Sequence, residues 1–500
     1  MLKREGETLI FQDVLPPPLP ESENYAALSQ LRSINIIEGG DEKSGQSGAN
    51  RQALLDLAKG LESMSYQTFH GVRLGQPLDW NRMASDLKKA KFMAEIPAPG
   101  QEAQAIRMTM DAKKPLLKIL TDSATRFQAA EFVPALRDQV LPEHLLELKV
   151  PHHMTIPAAC RTLALHGLAS SEMGDASAAY RDVWTLLLFS DALQREPLMT
   201  SHLMSQIISD QGFEIIWNVL RHRGLAEVDL ASLQAQLLRL NFEQSYLQAL
   251  RGDMISMITA LDALDKDTTG LSLFKTIRMP TDSISYRPSI GRVIPHSYFT
   301  LSKATLVNLE MEHLIRPLKS EGLRGVLWQR DAMIQSLNKP GMQGFPFDHF
   351  LAALSIPTVA MLSNRAIHLE AMRLQAVLAC ALERYYMQKG NYPDKLNALL
   401  PEFLTAIPLD PLDHQPIRYR QTQDGRYILW CIGFDDVDDL GQVNPRSGGS
   451  PASMMSKFFY KGDWAWQYTP VKTDEPDSGN RKWVAPSAGG LPPLPSSSRQ

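Results

Sequence analysis

Cysteine is scarce in this chain. Three residues in 500, Cys160, Cys380 and Cys431, are too few and too far apart for a CxxC pair, a zinc-ligand spacing or a disulfide framework. Cys380 and Cys431 sit among apolar neighbours, where a free thiol behaves as a small buried hydrophobe; a bond between them stays open. Long apolar runs are missing too. No stretch supplies the ~20 uninterrupted apolar residues of a spanning helix, and the nearest, Phe345 to Leu362, contains Asp348, His349 and Pro357. Met1 to Asp13 is charged and has no signal-peptide core, so the chain as given is expected to be soluble. Charge of one sign is also lacking. With 51 basic and 55 acidic residues the net charge is −4, which removes the overall electrostatic case for nucleic acid or an anionic membrane surface.

Catalytic signatures are equally sparse. There is no Gly-x-Ser-x-Gly elbow and no phosphate-binding Gly-x-x-x-x-Gly-Lys-Ser/Thr loop. Ser285, Ser289 and Ser297 lie in a loop with nothing to complete a triad. Glu143 and Glu147, one helical turn apart on a leucine-rich stretch, read as a solvated edge and not as a dyad facing across a cleft. His152 and His153 have no HExxH context, and adjacent residues face different ways, so surface or capping roles are expected. His313, beside Glu310 and Glu312, fits an ordinary polar helix face. The rival to a non-catalytic protein is a hydrolase-type site assembled from His152, His153, Glu310 and His313.

What the sequence holds in quantity is helix. It is 44% apolar and 21% charged, as globular proteins are, and 500 residues exceed one ordinary core, so two or three domains are expected. Residues 1–50 read as an extended arm. Pro16, Pro17, Pro18 and Pro20 fix the backbone, the run from Gly39 to Asn50 is too polar to fold alone, and Leu28, Leu31 and Ile34 would lay the arm against the body. A helical body follows over 51–265, with apolar stripes at Leu116–Leu120 and Leu141–Leu148. Leu163, Leu165 and Leu168 before Gly174-Asp175, and Ala178, Ala179, Val183 and Leu186 after it, predict two helices joined by a short turn. This hairpin is like one tetratricopeptide unit, but no 34-residue period follows, so an irregular bundle is expected. A Pro/Ser/Thr-rich connection spans 266–300 and further helices 301–362. Met199, Met204, Met254, Met257 and Met372 have helical spacing, which suits core filling or a groove for a partner helix.

The richest pattern comes last. Ile367, Ala371, Leu374, Leu378, Leu382 and Tyr385 form one stripe on a helix from about Asn364 to Gln388, stopped by Gly390. Pro393 prevents resumption, Leu396, Leu399 and Leu400 predict a second short helix, and Asp410-Pro411 a turn. Ile417–Arg420 and Arg426–Trp430 flank Asp424-Gly425, a strong hairpin signal. This order resembles the C-terminal part of the major pseudopilin of type II secretion systems. The matching residues are Ala381, Leu382 and Tyr385, Gly390-Asn391-Tyr392-Pro393, Leu396 with Leu399, Asp410-Pro411, Pro416 with Tyr419, Tyr427, and Gly433 with Asp435. Asp463-Trp464-Ala465-Trp466 is similar to that family's closing region with a spacing one residue shorter. The likeness covers roughly a fifth of the chain; the family's leader and apolar polymerising helix are not in it. The whole chain also resembles a group of large bacterial proteins carrying this module, whose Pro-Pro-Pro-x-Pro arm precedes Asn24-Tyr25-Ala26 and in which an N-terminal membrane anchor is common.

The resemblance implies an α+β domain over 363–470, a three-stranded antiparallel sheet packed on a long helix; the Pro/Ser/Gly-rich composition of 471–500 predicts a disordered tail after it. It also implies calcium in the acidic loop Asp435-Asp436-Val437-Asp438-Asp439, with Asp435 and Asp438 as ligands and Asp463 as a third. A solvated acidic turn is the plainer alternative. The expected protein is thus mainly α, non-catalytic, and engaged in protein or peptide interaction or assembly, without nucleic acid. The likeness favours the periplasmic side of the bacterial envelope, with the cytoplasm open and membrane association only through an anchor outside this chain. Oligomeric state is not legible.

Overall fold

The computed structural model of the chain describes residues 5–28, 78–112, 115–132, 152–266, 296–337, 350–444 and 461–469, with single residues 31, 52 and 150 besides. The helices are α1 (Phe11–Val14), α2 (Trp80–Lys89), α3 (Glu102–Ala112), α4 (Pro115–Ala124), α5 (His152–Glu172), α6 (Ala176–Gln194) and α7 (Met199–His222). Then come α8 (Glu227–Arg239), α9 (Phe242–Lys266), α10 (His296–Glu310), α11 (Arg316–Leu337) and α12 (Phe350–Lys389). The expected hairpin is α5 and α6. Gly174 turns it at φ +78°, and the Asp175 carboxylate caps α6 by accepting the Ala178 N–H at 3.1 Å. Helix α7 packs across both members, and α10 runs through a single π turn, Met311–Ile315, into α11. No helix among the described residues is long and apolar enough to cross a membrane.

Helix α12 begins fourteen residues before the expected Asn364 and continues through Pro357. One proline removes a single hydrogen bond from a ladder of forty residues, which the turns on either side can carry. Gly390, at φ +81°, ends it. The short second helix is a 3-10 turn, Leu396–Leu399. Strand β1 (Arg418–Gln421) pairs antiparallel with β2 (Tyr427–Cys431) around Asp424-Gly425, and β3 (Val443–Asn444) pairs with β4 (Lys461–Gly462). Strand β5 (Trp464–Gln467) joins the free edge of β2, giving the order β1-β2-β5. The protein is therefore mainly α, an irregular helical bundle with a three-stranded antiparallel sheet on a long helix.

Bundle and sheet share one core. Buried apolar residues form a continuous cluster from Phe11 to Tyr468, and α12 packs on α7, α8, α9 and α11 as well as on β2 and β5. Hydrogen bonds cross the expected boundary: Trp217 Nε1 donates to the Gln467 carbonyl at 2.9 Å, Gln234 to the Phe403 carbonyl at 2.7 Å and Arg426 to the Arg221 carbonyl at 2.6 Å. The Pro-rich arm lies on the bundle, where the Pro17 carbonyl accepts from Arg195 at 2.9 Å and the Tyr25 hydroxyl donates to the Leu120 carbonyl at 2.8 Å. The three cysteines are buried and free. Met254 and Met372 are buried, and Met199, Met204 and Met257 pack half-buried against the core, which is the core-filling role. The Leu141–Leu148 stripe, Glu143, Glu147, Ser285, Ser289, the run Gly39–Asn50 and the tail lie outside the described residues.

Candidate functional site

Strand β2 runs into the acidic loop, and β5 returns beneath it. Asp435 is exposed and accepts the Gly462 N–H at 3.0 Å, so it is tied to the residue just before Asp463. Asp438 turns elsewhere: one oxygen accepts the Trp430 indole N–H at 2.9 Å and the Leu440 N–H at 3.0 Å, the other faces Arg418 Nε at 3.1 Å. Burial opposes ionisation of Asp438, and these donors outweigh it, holding its carboxyl below the usual range. Asp463 is 1% exposed. Its Oδ2 accepts the Gly441 N–H at 2.6 Å, while Oδ1 is buried with no hydrogen-bond partner. Burial pushes its carboxyl up to about 6 against the pull of two backbone N–H groups, and the charges of Asp438 and Asp439 add to the rise. The structure thus brings Asp435 and Asp463 to one segment and engages Asp438 with Arg418, which also binds Asp410 at 2.8 Å.

His152 and His153 are neither surface nor capping residues. Both are buried at the start of α5, and their rings lie 4.5 Å apart at 80°. Both meet Glu196, in the connection between α6 and α7: His152 Nε2 is 2.8 Å from Oε1 and His153 Nε2 is 3.1 Å from Oε2. The Ser201 hydroxyl donates to Glu196 at 2.5 Å and lies 2.9 Å from His153 Nε2. Burial opposes ionisation of Glu196, but the charge and hydrogen bond of His152, then those of His153, outweigh it and bring its carboxyl down to about 2. Among the described residues this is the group of three His, Cys, Asp or Glu side chains whose ligand atoms all fall within 4.8 Å. Both histidines are legible as sequence neighbours, but Glu196 lies 43 residues on; its one signal is a lone acid ahead of Pro197 between two apolar helices.

Glu310 and His313 are not part of that group. Glu310, 1% exposed, ends α10 with both carboxylate oxygens unpartnered, and burial together with Asp253 of α9 pushes its carboxyl well up. Burial disfavours the charged form of an acid so placed. A cavity of about 380 Å³ opens between α3, α4 and α6, lined by Asp111, Lys118, Thr121, Asp122, Ala178, Arg181 and Asp182. Asp182 holds His166 Nδ1, and Asp111 lies 3.4 Å from its Nε2. Ser170 is 3.5 Å from that nitrogen but wholly enclosed and off the cavity wall, so the acid–imidazole–hydroxyl order offers a substrate no nucleophile. No family model, no curated protein and no solved structure matches this chain.

Proposed function

We propose that this chain is a non-catalytic interaction and assembly protein that holds calcium at the acidic loop of its C-terminal sheet and engages a protein partner beside it. The observation that carries this is Asp463. A carboxylate oxygen sealed from water with no donor is costly, and it lies beneath a loop carrying Asp435, Asp436, Asp438 and Asp439. A hard cation with oxygen ligands relieves both the orphan oxygen and the repulsion. Asp435 and Asp463 would supply carboxylates, and Asp438 would join by releasing Arg418. The rim suits a partner: Val437 and Leu440 are exposed on the loop, and Trp328, also exposed, stacks under Arg324, which lies 3.9 Å from Asp436. Exposed apolar side chains framed by charge mark docking surfaces. The likeness to the pseudopilin module supports calcium and an envelope setting, on the periplasmic side.

The test is a thermal melt in calcium and in chelator, on the native chain and on Asp463→Asn. At a hundredfold excess over Kd, an ion that binds only the folded state raises Tm by about 3 °C in a chain of this size. The rise should vanish in the variant and should not be reproduced by magnesium. Identical melts of the native chain in calcium and chelator would sink the calcium site.

A further inference from the structure

We infer that His152, His153, Glu196 and Ser201 form a closed site for a zinc-like divalent ion, a staple inside the helical body distinct from the acidic loop. Three chain segments meet there: the first turn of α5, the connection after α6, and the first turn of α7. Neighbouring residues on a helix point roughly 100° apart, yet both imidazoles turn the same nitrogen, Nε2, toward one carboxylate. One histidine would suffice to hydrogen-bond a buried glutamate. Two, with the Ser201 hydroxyl added at 2.5 Å, converge on Glu196, and the ligand atoms of the two histidines and the glutamate all lie within 4.8 Å of one another.

The donor chemistry selects the ion. Two neutral imidazoles and a carboxylate suit zinc or a neighbouring first-row ion, whereas calcium and magnesium call for oxygen shells. Exposure of the four residues ranges from 0% at Ser201 to 8% at His153, so the site is closed to solvent and offers no approach to a substrate, with the Ser201 hydroxyl at hand for the fourth position. That is the pattern of a structural site. His152 also stacks on Phe132 at 5.7 Å and 20°, which fixes the ring plane. The fit requires a small opening. A tetrahedral ion ~2.0–2.1 Å from each donor spaces its ligands roughly 3.3–3.4 Å apart, against the 2.8 to 3.1 Å between histidine nitrogens and carboxylate oxygens here. Without an ion the same groups close on one another through hydrogen bonds, and with one they move apart by a few tenths of an ångström as each Nε2 gives up its proton.

The experiment loads the purified full chain with zinc and, separately, with cobalt(II), removes free metal by dialysis, and measures bound metal by mass spectrometry and the visible spectrum. Expected are about one ion per chain and the intense absorption of four-coordinate cobalt. Stoichiometry should fall at least tenfold in the double variant His152→Ala/His153→Ala, and stay unchanged in Asp463→Asn, which separates this site from the acidic loop. Undiminished binding in the double variant overturns the proposal, as does a native chain that retains no metal or shows only the weak spectrum of six-coordinate cobalt. The native-chain spectrum decides the matter even if the double variant does not fold.

Discussion

His202 shows what a single buried side chain does to stability. It is wholly buried on α7; Gln206 donates an amide hydrogen to Nε2 at 2.7 Å, so Nδ1 carries the proton and donates to Ser245 of α9 at 2.8 Å. The Tyr246 ring lies 5.4 Å away and Arg365 of α12 adds a positive charge. Burial first, and Arg365 second, push the imidazole down to about 3. An unfolded histidine titrates near 6.5, so between about 6.5 and 3 the unfolded chain binds one more proton than the folded one. Stability from this residue is therefore complete above pH 6.5 and is lost as pH falls, by ~1.4 kcal/mol per pH unit. Urea unfolding from pH 7 to 5 should show that slope reduced by this amount in His202→Gln. Equal slopes would mean that His202 takes up its proton without unfolding.

Two glycines illustrate how elements are joined, for different reasons. Gly174 turns the α5–α6 hairpin at φ +78° with open space about it, so Gly174→Ala costs only backbone strain, about 1 kcal/mol. Gly252 on α9 has an ordinary helical conformation, but a Cβ there would lie 1.7 Å from the Pro197 carbonyl oxygen in the α6–α7 connection. That neighbour is backbone and cannot swing away, so Gly252→Ala must push α9 off the bundle, at a cost of about 2–3 kcal/mol. Denaturant midpoints should rank the two variants in that order. Gly174 is legible in the sequence as a turn between two helical patterns. Nothing in the sequence marks Gly252, because the atom it avoids belongs to a segment more than fifty residues away.

At the scale of the molecule the common core has a measurable consequence. Helix α12 buries Ala366, Ile367, Met372, Ala376 and Leu382, and Trp217 of α7 stacks on Tyr468, 5.5 Å away, beyond β5. Bundle and sheet should therefore unfold in one calorimetric transition, and a fragment of residues 363–470 should show the narrow amide dispersion of an unfolded chain. Two resolved transitions, or a folded fragment, would make the sheet domain an autonomous module.

The periodicities in the sequence determined the helices of the body, the α5–α6 hairpin, the stop at Gly390 and the β1–β2 turn. Each rests on interactions between residues a few positions apart, which spacing alone records. The third strand came from the family likeness, and the tertiary structure gave its register on β2. Tertiary structure also decided that α12 belongs to bundle and sheet together, that Asp438 faces Arg418 while Asp463 is sealed beneath the loop, and that His152 and His153 meet Glu196. These depend on which surfaces come together across tens or hundreds of residues. A buried polar side chain takes its partner from that packing, and no local pattern encodes it.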